Sequence, residues 1–274
     1  MPMTTRDTLL QAFDTLLQPA RFKDYGPNGL QVEGRNEITT IVSGVTASRA
    51  LIEAAIAANA DAIFVHHGLF WRGQSGTVTG WMKQRLQLLL AHDINLFAYH
   101  LPLDAHPEWG NNAQLGVQLG LVAESHFGEQ ELGCMGVAAF ANAAQLAQHV
   151  ESVLNRPVTL VQNAQTAIKK IAWCTGGAQG YFEAAIAAGA DAFITGEISE
   201  PQAHYAREMG VAYLACGHHA TERYGAPAVA AQSVLAASFS ASATSFSLAA
   251  RALPRVASSS AKWLRRALSK ELRA

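Results

Sequence analysis

The sequence predicts an α/β fold with two similar lobes that arise from an internal repeat and are related by a pseudo-two-fold axis. Residues 38–67 and 168–197 align without a gap, and nine of the ten residues in EAAIAANADA recur in EAAIAAGADA. Self-similarity at a fixed spacing indicates that one structural unit is used twice. Each copy begins with a short apolar strand pattern, turns at small residues, continues through an alanine-rich helix and ends in a second strand. This order is typical of a βαβ unit.

The predicted elements follow the repeat in chain order. The two copies close with strands at residues 62–65 and 192–195, and further strands are predicted at 95–100 and 211–216, each after a helix. Ligands of open α/β sheets bind at the carboxyl ends of the strands, so we expect the ligand crevice there. A capped amphipathic helix is predicted at the N-terminus. Its cap is Thr4 or Thr5, and its apolar side carries Leu9, Leu10, Phe13 and Leu16.

Three regions follow from this organisation. The first lobe is predicted at residues 1–125 and the second at 126–231. Residues 232–274 form an atypical tail that is rich in Ala and Ser and has no strand pattern, so we expect it to be poorly ordered. From Lys262 the tail gains basic residues, for which a solvated terminal helix is favoured over a contact with a membrane surface or nucleic acid.

Composition excludes several classes of protein. The chain has 274 residues, of which 50% are hydrophobic, and a formal net charge of -1. This charge gives no general attraction to nucleic acid or to an anionic membrane. No apolar run approaches the roughly 20 residues that span a bilayer, and no secretion signal is visible. The three cysteines form no Cys-x-x-Cys pair, which favours buried thiols in a reducing cytoplasm over disulfides or thiolate zinc.

Three polar clusters stand at the predicted strand ends. His66 and His67 follow the strand AIFV directly, HLPLDAH ends the next strand, and GHHATER follows the last strand of the second lobe. At a strand-to-loop turn, His66 and His67 diverge less than within a strand and can address two nearby ions. If a helix begins at His218, then that residue and Glu222 lie four positions apart on one face.

Together these clusters predict a metal centre. One cluster alone is more often structural or on the surface, but three at matching strand ends favour metal binding. Imidazole and carboxylate donors without a thiolate suit two divalent transition-metal ions, with zinc, iron, manganese and nickel as candidates. A catalytic zinc ion usually takes three protein ligands and a water, so five candidates favour a pair of ions bridged by a carboxylate and water. The predicted ligands are His66, His67, Asp104, His218 and Glu222.

Other residues near these clusters have more than one interpretation. His100 is predicted to act as a general base or to support a metal ligand. Glu197 occupies the repeat position of His67, which indicates a ligand-supporting or substrate-facing role, or a structural ion pair. Both are candidate proton carriers. The pair Gly176–Gly177 indicates a tight turn, with close approach to a ligand as the alternative. Weaker candidates are His106 and His204, and the common dinucleotide, P-loop and hydrolase motifs are not found.

Four motifs in this order resemble the NIF-three-like family, also called the GTP cyclohydrolase 1 type 2 homologues. They are FVHHGLFW, YHLPLDAH, ITGEIS and GHHATER, with DYGPNGLQVEG near the start, and the resemblance extends from Asp7 to Ala231. It implies two repeated α/β lobes with a dinuclear metal centre between them, in the short bacterial form, and assembly as a toroidal homohexamer. The tail departs from the helix and closing strand of the family. The ligand pattern of the family falls on His66, His67, Asp104, His218 and Glu222.

The resemblance implies a metal-dependent hydrolase or cyclohydrolase that acts on a small substrate of nucleotide type. A metal-binding regulatory or scaffold protein without turnover is the alternative, and a metal-handling protein is a third. A role in encircling DNA is disfavoured, because only the tail has clustered positive charge.

Overall fold

The computed structural model describes residues 3–162 and 167–240, with the backbone alone for 233–240. These residues form two compact units, one running to His100 and resuming at Ala226, the other spanning Leu101–Gly225. The predicted lobe boundary after residue 125 differs from this division. The reason is that Asn112, within segment 101–125, accepts hydrogen bonds from the Trp173 indole at 2.9 Å and from the Thr175 amide at 2.8 Å.

The first unit contains a four-stranded sheet in the order β2-β6-β5-β4, in which β4, β5 and β6 are parallel and β2 is antiparallel. A short antiparallel pair, β1 with β3, lies outside it. The elements, in chain order, are β1 (Thr4–Thr5), α1 (Arg6–Leu17), a 3-10 turn (Pro19–Arg21), β2 (Gly29–Val32), β3 (Glu37–Ile38), β4 (Ile41–Thr46), α2 (Arg49–Ala57), β5 (Ala62–His67), α3 (Gly80–Ala91) and β6 (Asn95–Ala98).

Helix α1 begins where the sequence predicts. The Thr5 hydroxyl accepts a hydrogen bond from the Thr8 amide at 3.2 Å and so caps the helix. Leu9 and Phe13 are buried as expected, but Leu17 rather than Leu16 completes the fully buried side. The Phe13 ring packs against Phe64 of β5, with 4.6 Å between ring centroids. Apolar burial of this helix therefore holds β5 and its polar end in place.

The second unit contains a six-stranded sheet in the order β7-β8-β10-β11-β12-β9, in which β10, β11 and β12 are parallel and the other pairs are antiparallel. The elements, in chain order, are α4 (Leu101–Ala105), α5 (Asn111–Leu119), β7 (Ser125–Phe127), a 3-10 turn (Glu129–Glu131), β8 (Gly133–Phe140), α6 (Ala143–Leu154), β9 (Thr159–Val161), β10 (Ile168–Trp173), a 3-10 turn (Gln179–Tyr181), α7 (Phe182–Ala187), β11 (Ala192–Thr195), α8 (Glu200–Met209), β12 (Ala212–Ala215) and α9 (His218–Glu222). Helix α10 (Gly225–Ser240) follows, and from Ala226 it belongs to the first unit.

Each unit contains a β-α-β segment with parallel strands, β4-α2-β5 in one unit and β10-α7-β11 in the other. Each is followed by a further parallel strand, so each unit has a three-stranded parallel centre. The start of the predicted tail, from Gln232 to Ser240, continues helix α10. The rest of the tail, with the basic segment from Lys262, lies outside the described residues. Among the helices that the structure describes, none is long and apolar enough to cross a membrane.

Candidate metal centre

Three imidazoles meet at one edge of the first unit's sheet. His66 and His67 are the last residues of β5, and His100 follows the adjacent parallel strand β6. Ring centroids are 4.4 Å apart between His66 and His67, and 4.9 Å apart between His66 and His100. Each of the three residues offers a ring nitrogen within 4.8 Å of the other two. The predicted strand ends therefore do bring imidazoles together, and His100 lies in the same group as the two predicted ligands.

The rings of His66 and His67 are each anchored at Nδ1. Nδ1 of His66 lies 3.1 Å from the backbone oxygen of Tyr99, and this carbonyl can only accept, so Nδ1 carries the proton. Nδ1 of His67 lies 3.0 Å from the hydroxyl of Thr46, its direct register partner on β4. The lone pair of His66 is therefore on Nε2, which is the arrangement found in metal-binding histidines. The Thr46 hydroxyl orients the ring of His67 as either donor or acceptor.

His100 is held by a loop from another part of the first unit. Its Nδ1 lies 2.6 Å from Oδ1 of Asp24, whose side chain is only 4% exposed. Asn28 donates to Oδ2 of Asp24 at 2.9 Å and accepts from the backbone amide of His100 at 2.7 Å. Burial raises the pKa of Asp24, but hydrogen bonds from His100 and Asn28 outweigh burial and hold that pKa below its ordinary value. Asp24 is therefore a carboxylate directed at an imidazole.

A recess with an empty volume of about 170 Å³ opens beside these rings. The edge of Trp71 packs on His100 at 90° with 5.0 Å between centroids. The Gln31 side chain links the segments at Pro27 and Leu69, because it donates to the Pro27 carbonyl at 2.8 Å and accepts from the Leu69 amide at 2.8 Å. The lining residues are Gly26, Pro27, Gln31, His66, Gly68, Phe70, Trp71, Ala98 and His100.

In the second unit, helix α9 begins at His218, as expected from the sequence. Nε2 of His218 lies 3.2 Å from Oε1 of Glu222, which confirms that the two side chains share one face of the helix. On the other side of the ring, Oε1 of Glu197 lies 2.7 Å from Nδ1. Burial lowers the pKa of His218, but the hydrogen bonds and charges of the two carboxylates outweigh it and raise the pKa to about 9. Glu197, a candidate proton carrier, thus contacts a predicted ligand.

Asp104, at the end of helix α4, is buried and hydrogen-bonded. Its Oδ1 accepts from Nδ2 of Asn111 at 2.8 Å and from the hydroxyl of Thr175 at 3.2 Å. A carboxylate oxygen of Asp104 lies within 4.8 Å of one of Glu222. Asn111 is itself fixed, because its Oδ1 accepts from the backbone amide of Gly225 at 3.1 Å. Two buried carboxylates therefore stand close together, as they do where they bind cations.

The turn after β10 approaches this group. Gly176 has φ of 70°, in the left-handed region, and a Cβ there would collide with the carboxylate of Glu222. Its backbone amide donates to the Thr221 hydroxyl at 3.0 Å. The predicted tight turn is present, and the close approach that requires glycine is to the side chain of Glu222.

The two weaker histidine candidates, His106 and His204, contact groups other than the proposed ligands. Nδ1 of His106 accepts from the backbone amide of Trp109 at 3.0 Å, within its own turn. His204 is exposed and lies 3.9 Å from Glu200 on the same helix. The three cysteines are buried and free of disulfides, as predicted, and burial raises the pKa of the Cys134 and Cys216 thiols to about 12.

Sequence reasoning missed the residues that hold the predicted ligands. They share a short polar side chain, and four of the five lie 21 or more positions from the group that they contact, whereas Asn111 lies seven positions from Asp104. Three had a signal: DYGPN, with Asp24 and Asn28, precedes the first predicted strand, and Asn111 follows Gly110 at a helix start. The missed residues are Asp24, Asn28, Thr46, Asn111 and Thr175.

The donor set fits divalent transition metals. Zinc and its neighbours bind neutral imidazole nitrogen and carboxylate oxygen, and their histidine ligands usually hydrogen bond through the second ring nitrogen. His66, His67 and His218 all have such a partner at Nδ1. The fold is of the mixed α/β class, and these buried clusters are consistent with metal binding.

The chain belongs to the family described as Duf34/NIF3 (NGG1p interacting factor 3), which matches residues 4–248. A protein of Neisseria meningitidis serogroup B named GTP cyclohydrolase 1 type 2 homolog is 54% identical over 226 residues, covering 82% of this chain and 90% of that protein. A solved structure titled protein ybgI, of unknown function, is 44% identical with a TM-score of 0.80, covering 84% of this chain and 93% of its own. A solved structure from Thermus thermophilus is 32% identical with a TM-score of 0.77, at the same coverage. The family that the motifs predict is confirmed.

Proposed function

We propose that the chain is a dinuclear metal-dependent hydrolase or cyclohydrolase that attacks a small, nucleotide-type substrate with water. The observation that carries this proposal is that imidazoles and carboxylates in each unit are buried or half-buried and already held by outer hydrogen-bond partners. Preorganisation of this kind is what a catalytic metal site requires of its protein. The residues that would hold two divalent ions of zinc, iron, manganese or nickel are His66, His67, Asp104, His218 and Glu222.

Each residue has a defined part in this proposal. When bound, such ions lower the pKa of water and neutralise charge on the attacked centre. His66 and His67 present Nε2, because Tyr99 and Thr46 occupy the Nδ1 side. The ligand pattern of the family, on which this proposal rests, includes residues of both units.

The second unit supplies the anionic ligands. Glu222 and Asp104 offer carboxylate oxygens within 4.8 Å of each other, a spacing that suits oxygen donors to neighbouring ions. Glu197 orients His218 through Nδ1. Among the two candidate proton carriers, His100 has the better position, since it lines the recess beside His66.

The nucleotide-type substrate rests on the names of the relatives, which include GTP cyclohydrolase 1 type 2 homolog. A homohexameric ring and a cytoplasmic location accompany the proposal on the same ground of family resemblance. Sedimentation of the purified protein tests the assembly.

Elemental analysis and a hydrolysis screen test the function. We expect about two transition-metal ions per chain in the wild type, loss of metal in His67→Ala and Glu222→Gln, and loss of nucleotide hydrolysis in the same variants. Asp61→Asn is the matched control, because Asp61 is a buried carboxylate whose partners are Thr39, Thr40 and Arg35. Bound metal without turnover on any nucleotide would favour the regulatory or scaffold alternative. A wild type that takes up no metal would overturn the proposal.

A further inference from the structure

We propose that Asp24 is a positioning residue, which fixes the ring of His100 with Nδ1–H toward the loop 24–28 and with Nε2 as the proton acceptor of the site. The orientation of the ring is independent of the proposed function. The role of Nε2 as a proton acceptor rests on the proposed function.

The geometry of the loop leaves one arrangement of the ring. The carboxylate of Asp24 can only accept, so the nitrogen 2.6 Å from it carries the proton. Oδ1 of Asp24 also accepts from the backbone amide of Tyr25 at 2.7 Å, and Oδ2 accepts from Asn28 at 2.9 Å. Because the same Asn28 accepts from the backbone amide of His100 at 2.7 Å, main chain and ring are held together. Turning the ring over would direct a carbon at Asp24 and forfeit a charge-assisted hydrogen bond.

Aromatic packing and two neighbouring imidazoles define the surroundings of His100. The ring packs between Tyr25 at 5.9 Å and Trp71 at 5.0 Å, both edge-on, which restricts its rotation. A ring nitrogen of His100 lies within 4.8 Å of one on each of His66 and His67, the proposed ligands. His100 also lines the recess. Its imidazole therefore lies beside residues that would hold the ions.

The proton balance follows the logic of a carboxylate-oriented histidine. One proton passes from the attacking water to Nε2 of His100 while the oxygen of that water bonds to the substrate. The imidazolium that forms is compensated by the negative charge of Asp24. The bond between the attacked centre and the leaving atom then breaks, the leaving atom keeps the electron pair and takes the same proton from Nε2, and His100 returns to its neutral form.

Asp61 offers a matched comparison within the same unit. It is also a buried carboxylate, and its Oδ2 accepts from the Thr39 amide at 2.8 Å and the Thr40 amide at 3.0 Å. Arg35 contacts its other oxygen at 3.1 Å. Asp61 therefore stabilises a turn and contacts no imidazole through these bonds, so removing its charge tests for general loss of a buried carboxylate.

The test is nitrogen NMR of histidine-labelled, metal-free protein, with the His100 signals assigned by their loss in His100→Asn. We expect the Nδ1–H tautomer of His100 in the wild type and in Asp61→Asn, and a shift toward the Nε2–H tautomer in Asp24→Ala. An Nε2–H tautomer in the wild type would overturn the proposal, and this measurement requires no substitution of Asp24. An unchanged tautomer in a folded Asp24→Ala would overturn it as well.

A second readout separates the proton step from the proposed function. Asp24→Asn keeps an acceptor oxygen and removes the charge, so we expect wild-type metal content and unchanged KM, with kcat lower by about 100-fold or more. An unchanged kcat would overturn the proton step. If the wild type binds metal but turns over no substrate, the proposed function and the proton step fail, while the tautomer of His100 still decides the positioning role.

Discussion

Glu197 and Glu222 hold opposite nitrogens of one imidazole, with Oε1 of Glu197 2.7 Å from Nδ1 of His218 and Oε1 of Glu222 3.2 Å from Nε2. A metal ligand needs one nitrogen for the ion and gains basicity when a carboxylate accepts from the other. The ring is therefore oriented at Nδ1 by Glu197, which is not itself a proposed metal ligand.

Glu197→Gln should weaken metal binding without abolishing it. Loss of an outer carboxylate partner typically costs about 10- to 100-fold in affinity, whereas loss of a ligand costs more. Competition with a chromophoric chelator measures the change. Glu200→Gln is the control, because Glu200 is exposed and its histidine neighbour, His204 at 3.9 Å, is not a proposed ligand. Equal affinity in Glu197→Gln and the wild type would contradict the orienting role.

Metal uptake should release a proton from His218. With a pKa raised to about 9 in the metal-free chain, the imidazole is protonated at neutral pH and must lose its Nε2 proton to bind an ion. Apparent affinity should therefore rise with pH up to about 9. Calorimetry in two buffers of different ionisation enthalpy counts the protons released. Absence of this release at neutral pH would show that His218 is already neutral.

The metal-free fold should lose some stability as the solution becomes alkaline. The folded pKa of His218 lies above its ordinary value of 6.5, so its ion pairs contribute fully below that value. Their contribution falls as pH rises through about 9. Thermal unfolding of chelator-treated protein between pH 6 and pH 10 should show this decrease, and a Glu197→Gln, Glu222→Gln double variant should show less of it.

Gly176→Ala should damage both stability and metal binding. The left-handed backbone costs a non-glycine residue roughly 1–2 kcal/mol, and the new Cβ would displace Glu222. Gly210→Ala separates the two effects, since Gly210 has φ of 68° but open space around it. We expect urea unfolding to show destabilisation in both variants and elemental analysis to show metal loss only in Gly176→Ala. Metal loss in both would point to a general effect of strain.

Asn111→Ala should destabilise the fold and lower metal occupancy. It removes the donor to Asp104 and leaves the Gly225 amide without its acceptor, at a cost of about 1–3 kcal/mol. Asn142→Ala is the matched control, because it removes an N-cap at helix α6 and should cost about 1 kcal/mol. Denaturant unfolding compares the two, and only the first should lose metal. Full occupancy in Asn111→Ala would show that Asp104 needs no outer partner.

The ligand groups could be predicted because their pattern is local. The His66-His67 pair stands at a strand end, and His218 and Glu222 are one helical turn apart, so period and spacing alone place each pair. The boundary between the two units, at residues 100 and 101, was not predictable from a local pattern. Segment 101–125 belongs with the second unit through hydrogen bonds from Trp173 and Thr175, which lie far along the sequence.

The sequence by itself determined the α/β elements and the family, and it placed the residues proposed as metal ligands at strand and helix ends, because apolar periodicity and short motifs act over a few positions. Only the tertiary structure decided which groups hold those residues. Asp24 reaches His100, Thr46 reaches His67 and Glu197 reaches His218, all across 21 or more positions. Such contacts depend on which strands become neighbours and in what register, and that is fixed by burial of the whole sheet rather than by any local pattern.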